Sequence, residues 1–306
     1  MHERLLIIGG TGFIGSHLAK KAMELGFETI VLSTKRPSID REISGVTYLE
    51  ANIVDPLQLE KKLTKYSFHY VVNLSGYIDH SSFLTGGSDV LEQHFFGLKN
   101  LLEVIDWSVL KRFVQIGSSD EYGNQPAPQN EKMPAAPISS YSLGKSASTH
   151  LLQMLCQTEA FPATILRLFL VYGPGQGEKR FLPQVISGCL SDKDFPVSSG
   201  EQFRDFSYVE DVITAILLCF TNDKVNGEII NIGSGVPVSI RDMVEYVRAT
   251  IGMGHPQFGA FPYRSKENMA LYADTTKAKD LLGWVETVSF KDGMKATIEY
   301  YRGVWA

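Results

Sequence analysis

The stretch Leu5-Leu6-Ile7-Ile8-Gly9-Gly10-Thr11-Gly12-Phe13-Ile14-Gly15 joins a short apolar run to a helical pattern through a glycine-rich turn. The three-and-three glycine spacing lets backbone N–H groups at a helix N-terminus approach a pyrophosphate. A plain glycine-rich turn between a strand and a helix is the alternative. Because strand, glycines and helix occur in the required order, we expect dinucleotide binding. The residues expected to form this part of the site are Gly9, Thr11, Gly12, Phe13, Ile14 and Gly15.

Short apolar runs alternate with helical patterns through the first half of the chain. The predicted strands are Leu5–Ile8, Thr29–Leu32, Val71–Leu74, Phe113–Ile116 and Thr164–Leu170, and the predicted helices cover about Ser16–Leu25, Val90–Ile105 and Tyr141–Glu159. Continuous apolar strands are typical of a parallel sheet covered on both faces. The fold class is therefore α/β, an open, doubly wound parallel sheet. We expect a nucleotide-binding domain over residues 1–172 with a return segment near 205–235, and a smaller substrate-binding lobe over 173–306.

Composition narrows the functional classes. The 306 residues carry a formal net charge of −5, which argues against a general nucleic-acid binder. We find no signal peptide and no apolar run long enough to span a membrane, so we expect a cytoplasmic protein without a membrane partner. The three cysteines, Cys156, Cys189 and Cys219, lie in apolar stretches without metal-ligand spacing. They indicate structural thiols, and no metal site is expected.

The end of the second predicted strand bears on the choice of cofactor. An NAD site usually has a carboxylate here, whereas this chain has Ser33, Lys35 and Arg36, which suit a 2′-phosphate better. We therefore expect NADP, with NAD possible; a solvated basic loop is the alternative. Further groove residues are expected at Asn52 and Ile53 and, at the end of the predicted strand Val71–Leu74, at Leu74, Ser75 and Gly76.

A second motif carries the chemistry. Tyr141 and Lys145 are four residues apart, which places them on one face of a helix. A nearby ammonium stabilises a phenolate, so the pKa of the tyrosine can fall and the group can exchange a proton. Such a pair alone is often a surface pair. Its position, one strand beyond Ser118 at the expected ligand crevice, favours a catalytic role.

At these motifs the chain resembles the extended short-chain dehydrogenase/reductases that act on nucleotide sugars, a Rossmann-fold family of epimerases, dehydratases and reductases. The resemblance rests on the glycine turn and on the segments Ser118-Ser119-Asp120-Glu121-Tyr122-Gly123, Tyr141-x-x-x-Lys145, Val171-Tyr172-Gly173-Pro174-Gly175-Gln176, Gln202–Val209 and Asn231-Ile232-Gly233-Ser234-Gly235. It implies a nucleotide-sugar substrate, and a homodimer formed through two helices; burial of those helices within one subunit is the alternative.

The resemblance also implies residue roles. Tyr141 would exchange the proton, Lys145 would bind the nicotinamide ribose and lower the tyrosine pKa, and Ser118 would orient the sugar oxygen. Arg204 would meet the substrate diphosphate, with an ion pair to Asp205 or Asp211 as the alternative. The residues expected to contact substrate are Ser119, Asp120, Arg180, Arg204, Arg264 and Glu267.

Departures from the family pattern separate the possible reactions. His94 and Leu170 stand where relatives usually carry asparagine, and Asp120-Glu121 stand one position later than the acid pair of dehydratases. The last shift disfavours a dehydratase. The basic loop favours an NADPH-dependent 4-ketoreductase of 6-deoxyhexoses, similar to the CDP-abequose/paratose synthases. A nucleotide-sugar 4-epimerase and a non-catalytic NADP-sensing regulator are the alternatives.

Overall fold

The computed structural model describes residues 3–263 and 267–305. Its strands are β1 (Arg4–Ile8), β2 (Glu28–Ser33), β3 (Thr47–Glu50), β4 (Tyr70–Asn73), β5 (Arg112–Ser118), β6 (Ala163–Leu168), β7 (Leu170–Tyr172), β8 (Asp194–Val197), β9 (Phe203–Tyr208), β10 (Ile229–Ile232), β11 (Pro237–Ser239), β12 (His255–Phe258) and β13 (Ala270–Leu271). Its α-helices are α1 (Phe13–Glu24), α2 (Pro56–Leu63), α3 (Gly87–Leu91), α4 (Gly97–Val104), α5 (Ser140–Glu159), α6 (Phe181–Leu190), α7 (Val209–Leu218), α8 (Ile240–Ile251) and α9 (Phe290–Trp305).

The main sheet has seven parallel strands in the order β10-β6-β5-β4-β1-β2-β3. The order reverses at β1, because the chain runs outward to β3 on one side and then resumes at β4 on the other. In such a sheet, ligands bind beyond the carboxyl ends of the strands at the reversal point. The expected doubly wound parallel sheet is confirmed.

Both faces of this sheet are covered by apolar side chains. Along β1, Leu5 and Ile7 pack into one cluster with residues of α1 and α7, whereas Leu6 and Ile8 pack into a second cluster with residues of α2, α4 and α5. Alternate residues of a strand point to opposite faces, so a continuous apolar run is what two-sided burial requires.

A smaller lobe lies after Tyr172. It contains a second sheet in the order β11-β9-β13, with β7 also paired to β9, and the parallel pair β8–β12. A third apolar cluster joins α6, α8 and α9. The segment 229–232 returns to the main sheet as its edge strand β10. The division into two domains at residue 172 stays a prediction.

Three elements differ from the sequence prediction. The predicted strand Thr164–Leu170 is two strands, because Phe169 leaves the main sheet and β7 pairs with β9 instead. The predicted helix Val90–Ile105 contains a π-helical turn, Glu92–Phe96, between α3 and α4. The sequence also predicts a short helix over Asp274–Leu282 that ends at Gly283, where the structure has a π-helical turn at Ala278–Leu282 that ends there.

Candidate active site

The glycine-rich turn lies at the carboxyl end of β1 and has the backbone geometry that only glycine permits. Gly9 has φ +76°, and a Cβ there would lie 2.9 Å from the Leu74 carbonyl oxygen. A Cβ on Gly15 would lie 2.5 Å from the Cα of Gly10. Within the part of the chain that the structure describes, no side chain caps α1 at Gly12, so its first N–H groups are available to an anion. The turn therefore fits the pyrophosphate of a dinucleotide.

The next residues predicted to line the cofactor groove follow β3 and β4. Gly76 has φ +95°, and its missing side chain leaves room for the imidazole of His94. Ser75 donates to the Asn73 side chain at 2.6 Å. Asn52 lies beside this segment, and its amide oxygen accepts from Gln93 Nε2 at 3.2 Å. Ile53 is buried beneath Gly97, so it supports the groove by packing.

The end of β2 carries the predicted cofactor-selecting residues. The Ser33 hydroxyl accepts from the Thr11 N–H at 3.2 Å and so ties the strand end to the glycine turn. Lys35 and Arg36 are exposed, and Arg36 forms a 3.3 Å ion pair with Glu42. The sequence motif pointed to the cations but not to Glu42, because that contact depends on how the loop folds back.

The candidate catalytic residues meet at the carboxyl end of β5. Ser118 ends this strand, and its hydroxyl accepts from the Asp120 N–H at 3.2 Å. Tyr141 lies in the first turn of α5, whose N-cap residue Ser139 accepts from the Ser142 N–H at 3.1 Å. The Ser118 hydroxyl lies close enough to the Tyr141 phenol to lower its pKa. The structure therefore brings the two predicted side chains together.

Lys145 follows one turn later on the same helix face. Its ammonium donates to the Ile116 carbonyl at 2.8 Å and lies 5.9 Å from the centre of the Tyr141 ring. Burial lowers the pKa of Lys145 to about 8, against the opposing effect of the Glu121 charge. The lysine is thus next to the tyrosine, as the four-residue spacing predicted.

The expectation that Lys145 lowers the tyrosine pKa stays a prediction, since the largest effects on the pKa of Tyr141 in the structure come from other groups. Burial raises the pKa of Tyr141 above its ordinary value, the charge of Asp120 raises it further, and the Ser118 hydrogen bond offsets only part of this. The Lys145 ammonium is directed to a backbone carbonyl and not to the phenol. Tyr141 therefore holds its proton.

Two histidines flank the Tyr141 ring. His94 is buried, contacts the ring edge-to-face at 5.1 Å between centroids, and hydrogen-bonds to the Tyr77 carbonyl through Nε2 at 3.0 Å. Burial and the nearby Lys145 lower the pKa of His94 to about 3, so the imidazole is neutral. His80 makes a second edge-to-face contact at 5.7 Å. The sequence flagged His94 as unusual, whereas no motif pointed to His80.

The acidic residues after Ser118 face different surroundings. Asp120 is partly exposed, and its carboxylate lies 3.6 Å from His80 Nε2. Glu121 is fully buried, accepts from the Ser118 N–H, and forms a 2.9 Å ion pair with Arg167. Glu121 therefore supports the fold, while Asp120 faces the site. Ser119 is buried beside them.

The predicted substrate-binding cations lie in the smaller lobe. Arg180 is exposed at the N-cap of α6, and it is near enough for its charge to act on the pKa of Tyr141, which it lowers. Arg204 forms an ion pair with Glu267. Arg264 lies outside the described residues.

The alternative partners considered for Arg204 are wrong. Asp205 accepts from the N–H groups of Ser234, Gly235 and Ala273. Asp211 is occupied by the N–H groups of Thr287 and Val288. Both aspartates therefore fasten loops together, and the arginine pairs instead with another residue predicted to contact substrate.

The family of the chain follows from comparison with known proteins. Residues 5–233 match the NAD dependent epimerase/dehydratase family. The chain belongs to this family. It is an NAD(P)-dependent enzyme of the extended short-chain dehydrogenase/reductase type, as the sequence motifs predicted.

Curated relatives carry out several reactions. The chain is 28% identical to the UDP-N-acetyl-alpha-D-glucosaminuronate decarboxylase of Bacillus cytotoxicus, over 99% of each chain. It is 27% identical to the dTDP-glucose 4,6-dehydratase of Salmonella typhimurium, over 97% of this chain and 92% of the relative. Decarboxylase and dehydratase both occur among similar proteins, so membership of the family does not select the reaction.

Solved structures show the same fold. The UDP-glucose 4-epimerase of Thermotoga maritima with UDP-glucose superposes with a TM-score of 0.92 at 27% identity, over 99% of this chain and 100% of that one. The UDP-glucuronic acid 4-epimerase of Bacillus cereus, in complex with UDP-glucuronic acid and NAD, gives 0.88 at 26% identity, over 98% and 99% of the two chains.

The described residues lack two kinds of feature. Between residues 3–263 and 267–305, no group of three or more histidine, cysteine or acidic side chains is arranged to hold a metal ion. Across those same ranges, every helix is too short or too polar to cross a bilayer.

Proposed function

We propose that this enzyme uses NADPH to reduce the 4-keto group of a nucleotide-linked 6-deoxyhexose. The proposal depends on the end of β2, where Ser33, Lys35 and Arg36 stand in place of a ribose-binding carboxylate. A 2′-phosphate needs cations and hydroxyl donors, whereas the free 2′-hydroxyl of NAD is usually bound by an acid. Net reduction also suits a cofactor that is exchanged at each turnover.

The protonation state of Ser118, Tyr141 and Lys145, which together form the catalytic corner, supports reaction in the direction of reduction. Bound NADPH would supply a hydride to C4. Tyr141 would give its proton to the oxygen that develops negative charge, while Ser118 holds the same oxygen. Burial and Asp120 raise the pKa of Tyr141, so the phenol carries the proton that a reduction consumes. Lys145 lies one helical turn from Tyr141 and, in its cationic form, would bind the nicotinamide ribose.

Substrate contacts follow from the same assignment. Arg180 and Arg204 lie in the lobe beyond the catalytic corner, and a guanidinium suits the paired oxygens of a diphosphate. Ser119 and Asp120 would line the sugar pocket. The pairing of Arg204 with Glu267 gives that arginine a fixed orientation. A homodimer is supported by the half-exposed apolar side chains Phe96, Leu143 and Met154 on the helices predicted to form the interface.

A nucleotide-sugar 4-epimerase is the second candidate. It is favoured by the two superposed structures above 25% identity, both of which are UDP-sugar 4-epimerases. An epimerase reduces and reoxidises one tightly held NAD, so it consumes no external cofactor. The purified protein would then carry stoichiometric NAD, whereas a reductase would be purified largely free of cofactor.

The deciding experiment measures NADPH and NADH oxidation with CDP-, GDP-, dTDP- and UDP-linked 6-deoxy-4-ketohexoses. We expect turnover with at least one of them and a strong preference for NADPH. Absence of turnover with all four, together with interconversion of nucleotide-linked hexoses by protein carrying NAD, would overturn the proposal in favour of the epimerase. Absence of both activities, with NADP binding intact, would favour a non-catalytic NADP-sensing regulator.

A further inference from the structure

His80, which pairs with Asp120 beside Tyr141, has no part in the reaction so far. His80 Nε2 lies 3.6 Å from the Asp120 carboxylate, and each side chain is 32% exposed. The His80 imidazole also packs edge-to-face on the Tyr141 ring at 5.7 Å between centroids. A surface carboxylate–imidazole pair is common, but this one contacts a catalytic candidate.

Net ketone reduction creates a need that such a pair can meet. Each turnover transfers one hydride and one proton to the substrate, so Tyr141 becomes a phenolate and must regain a proton from solvent. Tyr141 and Lys145 are only 4% and 5% exposed, so bulk water has poor access to either. An epimerase has no such need, because its tyrosine takes a proton from the substrate and later returns it.

The pair lies between an open cavity and the catalytic residues Ser118 and Tyr141. His80 lines a cavity of about 380 Å³ together with serines and apolar side chains next to the start of α5. On the inner side, the Asp120 N–H donates to the Ser118 hydroxyl, which neighbours the Tyr141 phenol. The charged or titratable groups near the phenol are Asp120, Glu121, Arg180, Lys145, His80 and His94.

Other members of that group are poorly placed to carry protons. Glu121 is fully buried and held by Arg167. His94 is buried with its Nε2 bonded to a backbone carbonyl. Lys145 is bonded to the Ile116 carbonyl. His80 and Asp120 combine solvent exposure with contact to the catalytic corner.

We infer that His80 and Asp120 form a relay that returns a proton from solvent to Tyr141 after each reduction. The relay rests on the proposed reductase function. The protonated pair gives one proton to the Tyr141 phenolate, and His80 then takes one proton from solvent. His80 and Asp120 act through Tyr141 and are positioning residues with respect to the hydride transfer itself.

The test separates the chemical step from reprotonation in His80→Gln. With NADPH-loaded enzyme and a reducible ketosugar, we expect the single-turnover rate to stay within about twofold of wild type, since Tyr141 starts protonated. Steady-state kcat should fall by at least about tenfold, since each later turnover waits for a proton. Added imidazole should restore kcat in the variant and leave wild type unchanged, because it supplies the missing proton carrier.

The chain offers a matched control. His255 Nε2 lies 3.6 Å from Asp192 in the smaller lobe, the same separation as in the relay pair, but both side chains are more exposed. His255→Gln should match wild type in every measurement. His80→Asn provides a second variant, and thermal unfolding of each purified protein checks that it is folded.

The outcomes distinguish this inference from the proposed function. An unchanged kcat in folded His80→Gln overturns the relay. An equal fall in single-turnover rate and kcat, or no effect of imidazole, also overturns it, because either result indicates that His80 contributes to the chemical step or to substrate binding. Wild-type protein that reduces no ketosugar contradicts the reductase function and the relay together, whereas active wild type with unaffected variants contradicts the relay alone.

Discussion

The two ends of the expected dinucleotide site are built in opposite ways. At the catalytic end, Tyr141 and Lys145 are almost fully buried, and strand ends and a capped helix hold them in place. At the β2 end, Arg36 is 58% exposed and pairs with Glu42 in water. An exposed ion pair contributes little to stability, so the 2′-phosphate of NADPH can replace Glu42 as the partner of Arg36. Under the proposed function, the chemistry would therefore depend on buried side chains, whereas cofactor preference would depend on an exposed loop that one or two substitutions can change.

The largest effect is expected from Tyr141→Phe. Loss of the group proposed to give its proton to the sugar oxygen should lower kcat by at least about 100-fold. NADPH affinity should stay within about twofold, because the hydroxyl contributes little to nucleotide binding. Stopped-flow NADPH oxidation and fluorescence titration measure the two quantities. Unchanged turnover would show that Tyr141 is not the proton donor and that the catalytic end is wrongly assigned.

His94→Asn tests how strongly the buried end is coupled to protonation. Burial holds the pKa of His94 at about 3, below its ordinary 6.5, so the unfolded chain binds a proton that the native protein excludes. Below about pH 6.5, this histidine should therefore reduce the free energy of unfolding by up to about 1.4 kcal/mol for each unit of acidification.

The measurement is urea unfolding of wild type and His94→Asn at neutral and mildly acidic pH. The wild-type free energy of unfolding should fall more steeply on acidification than that of the variant, since asparagine does not titrate. Other groups change protonation in both proteins and cancel in the difference. Parallel pH dependences would show that His94 is not the group that resists protonation.

Arg36→Ala tests the exposed end. Removing a charged donor to the 2′-phosphate should weaken NADPH binding by about tenfold, in keeping with the strength of charge-assisted hydrogen bonds. NADH binding should change by less than about twofold, because NADH lacks that phosphate. Titration calorimetry with both cofactors checks this. An equal loss for the two would place Arg36 outside the phosphate site.

The smallest effect is expected from Glu42→Gln. Removing the competing carboxylate should tighten NADPH binding by a few-fold, since an exposed ion pair is worth about 0.2–1 kcal/mol. Glu24→Gln is the control, because Glu24 pairs with Lys21 on the exposed side of α1. Weaker NADPH binding in Glu42→Gln would mean that this carboxylate orients Arg36 instead of competing for it.

Local patterns were sufficient to predict the sheet and the catalytic corner. The apolar runs of β1, β2, β4 and β5 identified buried parallel strands, because two-sided burial requires continuous apolar residues. The glycine spacing and the four-residue step from Tyr141 to Lys145 depend only on neighbouring backbone geometry. Ser118 could be predicted because it ends a strand beside the expected crevice.

Contacts between distant loops were decided by the tertiary structure. Three ion pairs have no periodic or short-range signature in the sequence. They are His80–Asp120, Arg36–Glu42 and Arg204–Glu267. The raised pKa of Tyr141 belongs with them, because it comes from burial and from Asp120 at the end of another strand. The sequence by itself thus determined which backbone elements form and which residues lie at their ends. The packing of those ends decided which side chains meet, and with that their charge and exposure, because such contacts depend on the distance between loops in space and not along the chain.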